Sequence, residues 1–229
     1  MTDDRKSGLA LILGSVGNIL TMAIHPHGSG PLTSQQAEHL ALASAVAHTI
    51  ALASVIILSL GAIGLMRHLA SHENRHDSAT PDRLALAGLI TFAFAALSIF
   101  IAGAVSGFIV PTILLHKAAD TPVNAVQWDL ITVSVFQFNQ TFSRIYSIAT
   151  SVAVVLWSVS SLRNGGLGHR IALYGCVVPI LLIALILAGH VRLDVHGMTA
   201  IVLTHAVWFI ITGVQLSRGA APGSAPLRR

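Results

Sequence analysis

Long apolar runs separated by short polar stretches form the basic pattern of this chain. Six runs approach or exceed the roughly 20 residues needed to cross the hydrocarbon core of a bilayer. They cover residues 8–24, 41–66, 84–115, 142–162, 171–189 and 198–216. Lipid satisfies no backbone hydrogen-bonding group, and the runs lack the two-residue alternation of barrel strands, so each is predicted to be a helix. The pattern therefore predicts an all-α membrane bundle of six transmembrane helices, forming one domain over residues 1–217.

The polar connections between the runs differ in character. Arg5 and Lys6 precede the first run, but this run is long for a signal peptide and no clean cleavage site follows, so it is interpreted as a retained span. Residues 67–83 are predicted to be a cytoplasmic loop. Residues 116–141 are predicted to be an outer loop with an interfacial helix around Trp128, although Thr132–Phe138 could also alternate as a strand. Residues 218–229 are predicted to be a disordered cytoplasmic tail.

Composition and charge support a membrane protein and set its predicted orientation. Only 10% of the residues are charged and 54% are hydrophobic, whereas soluble domains carry about 25% charged residues. One side of the predicted bundle holds Arg5, Lys6, Arg67, Arg75, Arg83, Arg163, Arg170, Arg218, Arg228 and Arg229. The other side holds Lys117 and Arg192. The positive-inside rule therefore places both termini in the cytoplasm, with the chain in the inner (cytoplasmic) membrane.

The same features exclude some functions. The net charge of +4 does not indicate nucleic-acid binding, because the basic residues lie in the gaps between spans. Cys176 is the only cysteine, which excludes an internal disulfide and any cysteine-based zinc or iron–sulfur site.

Histidine is unusually frequent, with twelve residues. His48 and His205 lie at similar predicted depths on two different spans, so they could supply both axial ligands of a b-type haem. Arg144 would then be available to pair with a haem propionate. Alternatively, a divalent transition metal could be held by ligands nearer the outer surface. The candidates for that metal site are His25, His39, His190, Asp194 and His196.

A polar stripe on the fourth span offers a different interpretation. Its members recur at helical spacing and are Gln137, Gln140, Arg144, Ser147, Ser151 and Ser158. Such serines are most often small residues that permit close helix packing. If the stripe lined a water-filled path, the protein could be a small-solute or proton-coupled carrier.

A match to the HExxH pattern at His72–His76 is interpreted as coincidental. In metalloproteases this pattern lies on a buried helix and binds zinc. Here Asn74 and Arg75 fill the middle positions, within a polar loop, so the sequence does not indicate an enzyme.

The leading functional hypothesis is therefore a histidine-rich outer-leaflet pocket that binds a metal or haem in a redox or sensing role. A haem in one leaflet would need a quinone or a membrane partner subunit to move electrons across the bilayer. The alternatives are the carrier, and a non-catalytic membrane subunit or scaffold in which the histidines are incidental. The first hypothesis requires imidazoles from different spans to meet in one cavity.

Overall fold

The computed structural model describes residues 2–26, 33–73, 83–120 and 124–218, and every regular element in these ranges is helical. Helices α1, α2 and α3 cover Asp3–Ile24, Ser34–Glu73 and Arg83–Ala104. A π-helical turn, Val105–Ile109, joins α3 to α4, Val110–Ala119. Helices α5, α6 and α7 cover Ala125–Asn164, His169–Leu187 and Val195–Arg218. With α3, the π turn and α4 counted as one span, the described ranges contain six helices long and apolar enough to cross a membrane. The prediction of six helices of membrane-spanning length and apolar character is thus confirmed.

Two helices are much longer than a bilayer requires. Helices α2 and α5 each contain 40 residues, which corresponds to about 60 Å at the rise of an α-helix. Helix α5 is continuous from Ala125, so the stretch Thr132–Phe138 is helical rather than a strand. The predicted interfacial helix and fourth span are therefore one element. The predicted disordered tail falls outside the described residues from position 219 onward.

Helices α1 and α7 pack against each other, and the start of α1 lies on the same side of the bundle as the end of α7. A Cβ on Gly8 of α1 would overlap the carbonyl oxygen of Gly213 in α7, so the two backbones are in direct contact. We call the side where α1 begins and α7 ends the terminal side, and the other the opposite side. The assignment of the terminal side to the cytoplasm remains a prediction from charge.

Aromatic packing fills the terminal-side half of the bundle. The rings of Trp157 and Trp208 stack at 6.0 Å, and Phe209 and Phe92 pack edge-on to each other at 5.8 Å. The Trp157 indole also donates to the carbonyl of Ala85 at 3.1 Å, which fixes α5 against the start of α3. Large rings need this kind of offset or edge contact to fill space. The terminal-side half is therefore densely packed, and the open space lies in the other half.

Three helical segments project on the opposite side. Helix α1 ends beside His48, and the α6–α7 loop lies level with Gln140, whose amide donates to the carbonyl of Leu193 at 2.8 Å. The parts of α2 and α5 that precede those residues, together with α4, extend about 20 Å further. An ion pair between Lys117 and Asp129 joins α4 to α5. We call these three parts of α2, α4 and α5 the projecting segments.

Candidate functional site

A cavity of about 420 Å³ lies where the projecting segments join the rest of the bundle. It is bounded by α1, α2, the α3–α4 span, α5, the α6–α7 loop and the start of α7, and most of its wall is apolar. Its polar groups include Asn18, His25, Ser44, His48, Asn139 and Gln140. With Arg67 and Arg163 at one edge of the hydrocarbon core, the other edge falls about 20 residues away, near His48 and Ser143. Counted along the helices, the cavity therefore lies about one span length from these arginines.

His48 is a buried polar residue in the cavity wall. Its side chain is only 6% exposed. A Cβ added to Gly107 would lie 2.5 Å from the Cβ of His48, so α2 can approach the π turn this closely only because position 107 is glycine. Its Nδ1 lies 2.8 Å from the carbonyl oxygen of Ser44. Because a carbonyl only accepts, Nδ1 carries the hydrogen and Nε2 presents a lone pair. Within the described part of the chain, Nε2 makes no hydrogen bond, so this acceptor remains open to a ligand.

His25 lies next to His48 at the end of α1. The two ring centroids are 5.1 Å apart, at an angle of 73°. The Nδ1 of His25 lies 3.1 Å from the carbonyl oxygen of Pro26, so it also donates to a backbone carbonyl. Histidines that bind metals are commonly oriented in this way, with one nitrogen on a carbonyl and the other on the metal. Two imidazoles from different parts of the chain therefore meet in the cavity, but they are His25 and His48 rather than the predicted pair His48 and His205.

The structure does not bring His205 to the same cavity as His48. His205 is 3% exposed on α7, and its ring lies edge-on to Tyr146, with 6.4 Å between centroids. Tyr146 belongs to the cavity wall, whereas His205 does not. The His205 Nε2 lies 3.0 Å from Ser151 Oγ. That hydroxyl donates to the carbonyl of Ser147, so its oxygen accepts from the imidazole and His205 Nδ1 has the lone pair.

The remaining predicted ligands are dispersed. Asp194 lines the cavity, but one of its carboxylate oxygens accepts from the backbone N–H of Gly197 at 2.9 Å, which is the bond of a helix N-cap. The others are exposed and lie outside the cavity wall: His39, Arg144, His190 and His196. Among the residues that the structure describes, no three His, Cys, Asp or Glu side chains are grouped to hold a metal ion.

The terminal-side histidines have structural contacts instead. His68 Nδ1 lies 3.1 Å from a carboxylate oxygen of Asp4, and its Nε2 lies 3.2 Å from the carbonyl oxygen of Gly166. His72 donates from Nδ1 to the carbonyl of His68. The rest of the HExxH match, from position 74, lies outside the described residues. His68 thus connects the start of α1 and the α5–α6 turn to α2.

The polar stripe of α5 is only partly buried. Ser147, Ser151 and Ser158 are fully buried, whereas Gln137 and Arg144 are exposed. The sequence interpretation missed Tyr146 as the residue between the cavity and His205. It also missed Ser44, although its position four residues before His48 on a helix indicates a contact between the Ser44 carbonyl and the ring.

Comparison with known proteins finds no matching family model, no similar curated protein and no similar solved structure. The geometry of the cavity is therefore the basis for assigning a function.

Proposed function

We propose that this protein binds a small amphipathic molecule of the quinol class in the opposite-side cavity, in a redox or sensing role. The observation that supports this is a largely apolar cavity containing one buried imidazole with its acceptor nitrogen open. Small-molecule sites commonly have volumes of about 300–1,000 Å³ and apolar walls with a few fixed polar groups. The volume of about 420 Å³ falls in this range.

The chemistry of His48 selects for a hydrogen-bond donor. Its Nδ1 hydrogen is used on the carbonyl of Ser44, so Nε2 can only accept. A quinol hydroxyl supplies such a donor, whereas the carbonyl oxygen of a quinone does not. The site would then favour the reduced form, and His48 could take the hydroxyl proton when the quinol is oxidised by a partner. A cavity one span length from the basic end of the bundle would lie near a membrane surface, and this position suits a molecule with a lipid-soluble body and a polar ring.

A second candidate ligand is a single transition-metal ion held by His25 and His48. The observation that favours it is the pair of rings at 5.1 Å, each with Nδ1 on a backbone carbonyl. Two imidazoles supply half of a tetrahedral set. Met22 and Met198 also line the cavity, and thioethers together with imidazoles suit Cu(I).

Binding measurements on the detergent-purified protein test the proposal. Decylubiquinol is the probe, with His48→Phe as the test variant and His39→Phe as the matched control on an exposed position of the same helix. Loss of one hydrogen bond worth about 0.5–1.5 kcal/mol predicts that His48→Phe raises the dissociation constant about twofold to tenfold. Equal affinities for the wild type and His48→Phe would contradict the quinol proposal. Metal analysis covers the second candidate: bound Cu(I) lost in both His25→Ala and His48→Ala supports the ion.

A further inference from the structure

Buried polar side chains recur along α5 and α7, and we call them the polar file. These two helices run in the same direction, and the Gln140–Leu193 and Ser151–His205 contacts fix their relative register. The polar file consists of Ser143, Ser147, Ser151, Ser158 and Ser161 of α5 with His205, Trp208 and Thr212 of α7, all buried. From Ser143 to Ser161 it spans about 27 Å at the rise of an α-helix. That length matches the hydrocarbon core of a bilayer.

The file connects the cavity to the terminal side. At the cavity end, Ser143 lines the cavity, and Tyr146 belongs both to the wall and to the surroundings of His205. At the other end, Ser161 Oγ accepts from the backbone N–H of Leu167 at 2.9 Å, in the turn that joins α5 to α6. Gln215 of α7 accepts from the N–H of Gly168 in the same turn. The file therefore ends where the helices leave the membrane interior.

Several polar atoms of the file have no partner within the described residues. They are Ser158 Oγ, His205 Nδ1, Trp208 Nε1 and Thr212 Oγ1, each inaccessible to solvent. The Ser147 and Ser151 hydroxyls donate to the carbonyl four residues earlier, whereas these four atoms have no such bond. Unpaired groups in a water-free interior carry a free-energy cost and call for an explanation. Internal water molecules in the file would satisfy all four atoms.

We infer that the polar file transfers protons between the cavity and the terminal side, with His205 as the relay. The His205 side chain is only 3% exposed. Its Nε2 contacts Ser151 Oγ, whereas its Nδ1 has no partner within the described residues. A proton that arrives at Nδ1 forms one N–H bond and gives an imidazolium. Nε2 then loses its proton to Ser151 Oγ, while the Ser151 hydroxyl rotates away from the Ser147 carbonyl and gives its own proton to an internal water molecule of the file. One N–H bond forms and one breaks, no electrons move, and exchange of the two tautomers restores the starting state.

This inference goes beyond the proposed function, since it does not depend on what occupies the cavity. Protons from a bound quinol would be one source, and protons from water at the opposite-side surface would be another. His205 does not line the cavity, so its replacement should leave the affinity for decylubiquinol unchanged. Failure of ligand binding and failure of proton transfer can therefore be told apart.

Proton flux through the full-length protein in liposomes tests the inference. The vesicles contain pyranine, and a potassium diffusion potential set with valinomycin drives protons inward. The wild type is expected to acidify the interior faster than protein-free vesicles, and His205→Phe should return the rate to that of protein-free vesicles. His190→Phe, the same change at an exposed loop histidine, serves as the matched control and should keep the wild-type rate.

A second variant separates a relay from a structural role. His205→Gln can still donate to Ser151 but cannot accept a proton at one atom while releasing another. If His205→Gln elutes as the wild type does from a sizing column and has lost the flux, His205 acts as a relay. Wild-type vesicles no faster than protein-free vesicles, or full flux in His205→Gln, would overturn the inference.

Discussion

The contact between Gly107 and His48 predicts a large penalty for a single methyl group. A Cβ at position 107 would lie 2.5 Å from His48 Cβ and 2.9 Å from His48 Cγ. Carbon atoms in contact normally lie about 3.5–4.0 Å apart. The overlapping atoms are at the root of the side chain, so no rotamer change removes the overlap. In Gly107→Ala, the π turn and α2 must therefore separate by about 1 Å.

Gly103 provides the control substitution for the stability cost of Gly107→Ala. A Cβ on Gly103 would lie 3.2 Å from the tip of Leu52 and 3.9 Å from the His48 ring, and a leucine tip can shift. Both substitutions gain the helical preference of alanine over glycine, up to about 1 kcal/mol. Only Gly107→Ala adds overpacking, which typically costs about 1–3 kcal/mol. The difference between the two variants thus isolates the effect of the overlap.

Thermal unfolding in detergent and decylubiquinol binding are the two measurements. Gly107→Ala should unfold at a lower temperature than Gly103→Ala and bind the probe more weakly, because His48 is displaced from the cavity wall. Equal unfolding temperatures for the two variants would show that α2 and the π turn are not in close contact at this point.

Two other contacts give direct tests of the terminal side. Trp157→Phe removes the indole hydrogen bond to the carbonyl of Ala85 and is expected to lower stability by about 0.5–1.5 kcal/mol, because one hydrogen bond between α5 and α3 is lost; unchanged thermal unfolding would contradict this. His68→Phe breaks both the Asp4 and Gly166 contacts and should destabilise more than Asp4→Asn, because the Asp4 side chain is 47% exposed and its pairing with His68 is screened by solvent. The reverse order in thermal unfolding would show that the ion pair, rather than the bond to the turn, holds His68.

The number of spans was predictable because the length of an apolar run is a local property of the sequence. The continuity of α5 was also visible in principle, since no Gly or Pro occurs between positions 125 and 164. The polar residues near Trp128 masked this feature. Apolar run length therefore predicts where a helix crosses a membrane better than it predicts where the helix begins.

The partners of the histidines were not predictable from position along the chain. The sequence predicts similar depths for His48 and His205, but His205 meets α5 at Ser151, which lies eight residues, or about 12 Å, beyond the cavity-lining Ser143. Tyr146 lies beside His205 in the wall of the cavity that contains His48, and this arrangement depends on how α5 packs against its neighbours. Arg144 illustrates the same limit, because its spacing predicts the face of Ser147 and Ser151 while its side chain is exposed. The adjoining helices determine whether a given face is buried at each depth.

The π turn at Val105–Ile109 determines which face of α4 meets the rest of the protein. A π turn contains one residue more than the α-helical turn it replaces, and each residue rotates a helix by about 100°. Deleting one residue from this turn would restore α-helical winding and rotate all of α4 by that angle about its axis. Lys117 and His116 would then face away from Asp129 and Trp128. Deletion of a single residue in this turn could therefore change which side chains of α4 face the cavity while leaving every helix intact.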